Sequence, residues 1–351
     1  MAEPTSALKR LRIRIYLRIL AYSAVIGGVF GAFLGSPGTA VYISALIGAA
    51  NALLIAGCLS GIETFVLREG ILMRRLARLP FSAVVALKTL SYGAIIAALV
   101  VGTQLLLGLL PLEGRVVPLE RNTSLVIIGF SLAMTAIFVI VQQVAALLGR
   151  RTLLNLVLGR YHQPRAEWRF FLFVDVVGST AIAERLGPLQ AHRFLAAVFS
   201  ATAEPVAACH GEIHQYIGDE IVVSWTEAEG MTDARPLRCF FDMEESLRMQ
   251  KDRFRAEFAA EPALRAALHL GEVIAGEVGE SRRAIVFHGD VMNTASRLEQ
   301  ATRELGVRFI ASADALEALG AQPAMELRDL GALNLRGRKE PIRASGVALR
   351  N

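Results

Sequence analysis

Cysteine is scarce: Cys58, Cys209 and Cys239 are the three in 351 residues, and none belongs to a CxxC pair. That spacing excludes a disulfide framework and a thiol-clustered zinc site, and it reads as reduced thiols. No histidine precedes His162. The N-terminal half therefore lacks the axial ligands that a four-helix haem anchor needs. Charge is thin there too, since residues 19–148 are mostly Ala, Leu, Ile, Val and Gly. The net charge of +5 is modest and partly reflects Arg beside apolar segments, so it gives no sign of nucleic-acid binding.

What the chain does have is 54% hydrophobic residues, concentrated in four runs: Ile19 to Gly35, Val41 to Leu67, Ser82 to Leu110 and Ser124 to Leu148. Each approaches the roughly 20 residues that cross a bilayer. The first is short and Gly-rich; its tight link to the second argues for a helical hairpin rather than a cleaved signal peptide. Basic residues set the orientation. Lys9, Arg10, Arg12, Arg14 and Arg18 precede the first run, Arg68, Arg74, Arg75 and Arg78 follow the second, and Arg150 and Arg151 follow the fourth. The Ser36–Ala40 link has no Lys or Arg, and in the third link Arg115 and Arg121 are offset by Glu113 and Glu120. Both termini are expected in the cytoplasm. Small residues such as Gly27, Gly28, Gly31 and Gly48 permit close helix packing. Glu63 and Lys88 are expected to snorkel to the interface.

The expected organisation is a basic N-terminus over 1–18, a four-helix transmembrane domain over 19–148, a linker helix and turn over 149–168, and a catalytic domain over 169–351. In the last, Phe170 to Val174 reads as a buried strand carrying Asp175 at its end. Gly178-Ser179-Thr180 then opens a helix whose free N–H groups suit phosphate. Glu212 to Trp225 alternates around Gly218-Asp219 and reads as a β-hairpin with Asp219 at its tip. Two carboxylates from neighbouring strands can hold divalent metal. Asp233 to Phe258 reads as one amphipathic helix, and Leu264 to Ile274 as a strand. Asn293 and Arg297, four apart, share a helix face and suit a sugar oxygen and a phosphoryl charge. The chain closes on a basic turn at Leu335-Arg336-Gly337-Arg338-Lys339.

The ordered motifs FVDVVGST, IGDE, HLGEVIAGEVG, HGDVMNTASRLE and LRGRKEP resemble those of the class III nucleotidyl cyclase domain, over about 169–349. The resemblance implies an α/β ferredoxin-like catalytic domain working as a homodimer, with sites at the subunit interface. It implies two Mg²⁺ or Mn²⁺ per site, held by Asp175, Asp219 and the Val176 carbonyl. Asn293 and Arg297 would be the transition-state pair from the partner chain, and Arg336 would bind triphosphate. Gly178, Ser179 and Thr180 would line the phosphates. The reaction implied is closure of ATP to 3′,5′-cyclic AMP with loss of pyrophosphate, by a plasma (inner) membrane protein whose catalytic half is cytoplasmic. Two positions depart from the pattern: Gln215 stands where the family has an adenine-selecting lysine, and Val286 where it has Asp or Thr. Val cannot hydrogen-bond a base. GTP as substrate, or a nucleotide-binding receptor or scaffold with weak turnover, are the alternatives.

Overall fold

The structure is a computed structural model that describes residues 4–34, 40–63, 79–109, 121–280, 284–338 and 340–350. Expectations resting on the Ser36–Thr39 link, on Arg68, Arg74, Arg75, Arg78 and Arg115, and on Lys339 lie outside the described residues. The chain divides into two compact units, Met1–Leu148 and Gly149–Asn351.

The first unit contains four helices: α1 (Pro4–Leu34), α2 (Val41–Gly61), α3 (Phe81–Leu109) and α4 (Arg121–Leu148). By length and composition, Tyr16–Phe33, Val41–Gly61 and Phe81–Thr103 can each cross a membrane; the described apolar run of α4 is Thr135–Ala145. Helix α1 starts well before Ile19, so the basic N-terminus is a continuation of the first span. Proline suits such a start, because its missing N–H falls where a helix has no partner for it.

The glycines act within the hairpin. A methyl on Gly27 would strike Ala52, one on Gly31 would strike the Ser44 carbonyl, and one on Gly48 would strike the Gly27 carbonyl. Tyr16 adds a bond from its hydroxyl to the Gly57 carbonyl, 3.3 Å. Glu63 and Lys88 do not reach separately for the interface. Lys88 Nζ donates to Glu63 Oε1 at 2.7 Å, and Tyr92 donates to the same oxygen at 2.5 Å. Pairing wins because an isolated charge between helices costs more than one neutralised by a neighbour.

The second unit opens with α5 (Arg150–Val157) and β1 (Arg165–Val176). Strand β1 begins at Arg165, ahead of the expected Phe170. After it come α6 (Ser179–Leu186), α7 (Pro188–Ala208), β2 (Glu212–Ile217), β3 (Glu220–Thr226), α8 (Glu227–Met231), α9 (Arg235–Met249) and α10 (Lys251–Phe258). The expected single helix over Asp233–Phe258 is thus two, broken at Gln250, where φ −104° and ψ 8° leave the helical region. Then follow β4 (Leu264–Val278), β5 (Ala284–His288), α11 (Asp290–Leu305), β6 (Phe309–Ser312), α12 (Ala313–Leu319), β7 (Met325–Leu333) and β8 (Ile342–Leu349).

The sheet runs β2-β3-β1-β4-β6-β8-β7, with β5 on β4. The β4–β6 pair is parallel and the others are antiparallel. This is a mixed sheet within an α/β unit. Strand β1 is central and covered on both faces, which explains its unbroken apolar run. Phe170, Leu172, Val174 and Val176 join one core with Phe194, Leu237, Phe240 and Phe254. Phe171 and Phe173 join the opposite core with Val291 and Ala295 of α11. Alternation sends Asp175 to that second face. Arg169 is 1% exposed, forks to Glu167 and Glu212 at 2.7 Å each, and lies 4.7 Å from the Phe287 ring centre. The buried Tyr161 donates to Glu167 at 3.1 Å, fastening the linker to the start of β1.

Candidate active site

Strand register builds the site. Asp175 is opposite Glu220 of β3 and opposite Arg265 of β4. Ile217 and Glu220 close the β2–β3 hairpin, leaving Gly218 and Asp219 as its turn. Gly218 has φ +62°, a left-handed conformation that glycine adopts without steric cost. The turn therefore delivers Asp219 beside Asp175. Ser179, heading α6, donates its hydroxyl to Asp219 Oδ2. Gly178 before it also has a left-handed backbone, φ +70°.

Helix α11 supplies the opposite wall. Asp175 accepts bonds from Arg265 Nη2 and, at 2.9 Å, from Arg303 Nη2. Arg265 Nε also donates to the buried Glu299 at 3.0 Å. Burial pushes the Asp175 carboxyl up, the Arg265 bond pulls it down, and the Asp219 charge pushes it up again. Burial, then the charges of Glu299, Asp175 and Asp219, push Glu220 up to about 7. Glu299 is raised by burial and then by Asp175. Four carboxylates thus meet two guanidiniums, and the excess is negative.

Such a cluster attracts a divalent cation. Among the described residues no three His, Cys, Asp or Glu side chains form a closed metal cage. Magnesium needs none: one or two carboxylates plus ligand phosphates suffice, and the hard oxygens of Asp175 and Asp219 fit that pattern.

The remaining sequence-derived residues are distributed around this centre. Val176 ends β1 and is buried, while Thr180 is exposed on α6. Asn293 is exposed and Arg297 partly exposed on α11. At 3.6 residues per turn they point about 120° around the helix from Glu299 and Arg303, away from this chain's own Asp175. The Arg297 guanidinium is beside Gly337, where a Cβ would lie 3.3 Å from Nη2. Arg336 is exposed. Its neighbour Arg338 instead donates to Thr294 at 2.7 Å and pairs with Asp290 at 3.3 Å. Gln215 follows an irregularity in β2, and Val286 is opposite Gly276 on β5. Their chain neighbours His214 and Phe287 have ring centres 5.0 Å apart, so the two segments come together. Sequence reasoning missed Arg265, Arg303, Glu220 and Glu299. The two acids stand inside the motifs; the arginines become visible only once the strand register and the helix face are known.

The family model described as the adenylate and guanylate cyclase catalytic domain matches residues 164–344. This chain belongs to that family. Among curated proteins, the cyclase chain is 37% identical over 219 residues to Adenylate cyclase 2 of Rhizobium meliloti (strain 1021), covering 62% of this chain and 60% of that one. It is 30% identical over 184 residues to Adenylate cyclase 1 of the same organism, covering 51% of this chain and 27% of that one. The chain thus spans less than two thirds of the length of either relative. Among solved structures, the adenylyl cyclase CyaB from P. aeruginosa aligns with TM-score 0.48 and 17% identity, over 54% of this chain and 97% of that one.

Proposed function

We propose that this chain is a membrane-anchored adenylate cyclase that closes ATP to 3′,5′-cyclic AMP, releasing pyrophosphate. The observation that carries the reading is the meeting of Asp175 and Asp219 at the end of a buried strand. Both come from motifs of the cyclase family. Identity to two proteins named adenylate cyclase favours ATP over GTP.

In this mechanism Asp175 and Asp219, with the Val176 carbonyl, would hold the divalent ions. When bound, such ions lower the pKa of the ribose 3′-hydroxyl and neutralise phosphate charge. The 3′-oxygen attacks the α-phosphorus in line, and the bond to pyrophosphate breaks. Gly178, Ser179 and Thr180 line the phosphates through the start of α6, and Arg336 adds a cation to the triphosphate. Gln215 hydrogen-bonds the purine edge, with Val286 packing beside the base. Arg297 stabilises charge growing on the transferred phosphoryl group, and Asn293 orients the ribose.

These last two face away from their own chain's carboxylates, so a homodimer completes the site, each chain supplying Asn293 and Arg297 to its partner. The apolar helices anchor the protein in a membrane. The Lys and Arg distribution puts the N-terminus and cyclase domain on the cytoplasmic side, in a bacterium at the inner membrane. Nothing supports a nucleic-acid partner.

Product identification with ATP and GTP tests the reading. Cyclic AMP from ATP is the expected product. Cyclic GTP-derived product alone moves the chain to guanylate cyclase. Binding of either nucleotide with no cyclic product supports the scaffold reading instead. Mixing Asp175→Ala with Arg297→Ala protein tests the shared site: one working site per heterodimer is expected, and dimers that stay inactive overturn it.

A further inference from the structure

Helix α5 turns its polar residue in and its apolar residues out. Asn155 is 7% exposed, whereas Leu154, Val157 and Leu158 are 56%, 75% and 70% exposed. A helix on a water-facing surface does the reverse, burying its leucines and wetting its asparagine. Residues three and four apart share a helix face, so 154, 157 and 158 form one outward apolar stripe. Both ends of the helix are tied. Gly149 alone separates it from the end of α4 at Leu148. At the other end Gly159 has φ +61°, and the Arg160 N–H donates back to the Asn155 carbonyl at 2.9 Å, a stop that glycine makes without steric cost. The chain then reaches the buried Tyr161, which is bonded to Glu167 at the start of β1.

Charge identifies what covers the stripe. Between Glu120 and Glu167 the chain has no acidic residue, and within 149–166 it carries Arg150, Arg151, Arg160 and Arg165. An apolar stripe in a basic segment, one residue beyond an apolar helix, is the pattern of a helix lying in an anionic lipid surface. A second copy of the chain fits less well. Eight residues rise only about 12 Å, little more than one heptad, and a coiled-coil seam needs three or more. Pairing two copies there would also bring like charges together.

We propose that α5 lies in the headgroup layer of an anionic leaflet, with Leu154, Val157 and Leu158 reaching the acyl chains and the excess of arginine drawing lipid phosphate to the segment. This rests on the membrane-anchored reading and adds to it a surface contact made by the cyclase unit itself.

The test uses the full-length chain in lipid nanodiscs, carrying Cys58→Ser and one fluorescent label on Val157→Cys. Cys209 and Cys239 are fully buried and do not compete for the label. Brominated acyl chains quench a label in the bilayer, and iodide quenches one in water. In discs containing phosphatidylglycerol, bromine quenching with protection from iodide is expected at 157. A label on Met249→Cys, an exposed position of α9, should show the opposite. Leu154→Ser with Leu158→Ser, both at exposed positions, should abolish bromine quenching at 157. Exchanging phosphatidylglycerol for phosphatidylcholine should lower the docked-to-undocked ratio by about fivefold or more, the effect of one arginine. Iodide quenching at 157 in anionic discs overturns the proposal and leaves the anchor in place. So does an interchain disulfide at Val157→Cys that shuts out both quenchers, which would give the stripe to a second copy. Docking that ignores lipid charge overturns it as well. A chain that never enters the discs overturns the anchored reading, and this proposal with it.

Discussion

In the membrane hairpin, α1 and α2 touch where side chains are missing, at Gly27, Gly31 and Gly48. In the cyclase unit, β1 is clamped by large side chains: Phe170, Phe171 and, on the neighbouring strand, Trp225 are all fully buried. The contrast follows from the solvent. In lipid, burying a leucine against another helix gains little over burying it in acyl chains, so close backbone approach and occasional polar pairs do the holding. In water, removal of apolar surface is the main driving force, and bulk wins. The same contrast governs charge. Glu63 and Lys88 neutralise each other one to one, whereas the cyclase unit gathers four carboxylates around two arginines at one point. The first arrangement is a fastening, the second a site.

The sharpest way to separate fastening from site is Asp175→Ala. Cyclic nucleotide formation is expected to fall to background in a product assay. Folding should survive, because Arg265 keeps its bond to Glu299. Residual turnover near the parent rate would remove Asp175 from the mechanism. Next in size, Trp225→Ala should cost the cyclase unit about 3–5 kcal/mol in denaturant unfolding, from the cavity and the lost Nε1 bond to the Cys209 carbonyl. A cost well under that would mean the core is not held by bulk.

Gly31→Leu should weaken the α1–α2 hairpin by about 1–3 kcal/mol through overpacking, measured as loss of cross-linking between cysteines placed on the two helices. No change would show that the helices do not rely on missing side chains. The smallest effect concerns pH. The Glu220 carboxyl is raised from 4.5 to about 7 in the folded state. A raised acid stabilises the fold below the unfolded value, and that contribution is lost as pH climbs from about 4.5 through 7. Glu220→Gln should flatten this decline, so the variant gains on the parent above pH 7 in melting temperature. A variant that tracks the parent across that window would show that Glu220 ionises freely.

Much of this was legible in the sequence because it is local. The Phe170–Val174 run, the Gly-Asp turn and the four-residue spacing of Asn293 and Arg297 each express one element's own geometry. The apolar runs likewise announce long helices, although a run says little of where a helix starts, and α1 reaches back to Pro4. What stayed hidden is relational. Arg265 looks like any strand arginine until the β1–β4 register puts it opposite Asp175. Glu63 and Lys88 form a pair only when two helix faces are known to meet. The break at Gln250 is also silent, because the residues on both sides favour helix and the interruption is backbone geometry alone.

Asp175 and the hairpin that presents Asp219 are rungs of one antiparallel ladder, joined from Arg169–Thr226 to Asp175–Glu220. Ladders of this kind shear poorly and stretch hardly at all. The spacing of the two acids is thus set when the sheet forms and does not wait for a signal.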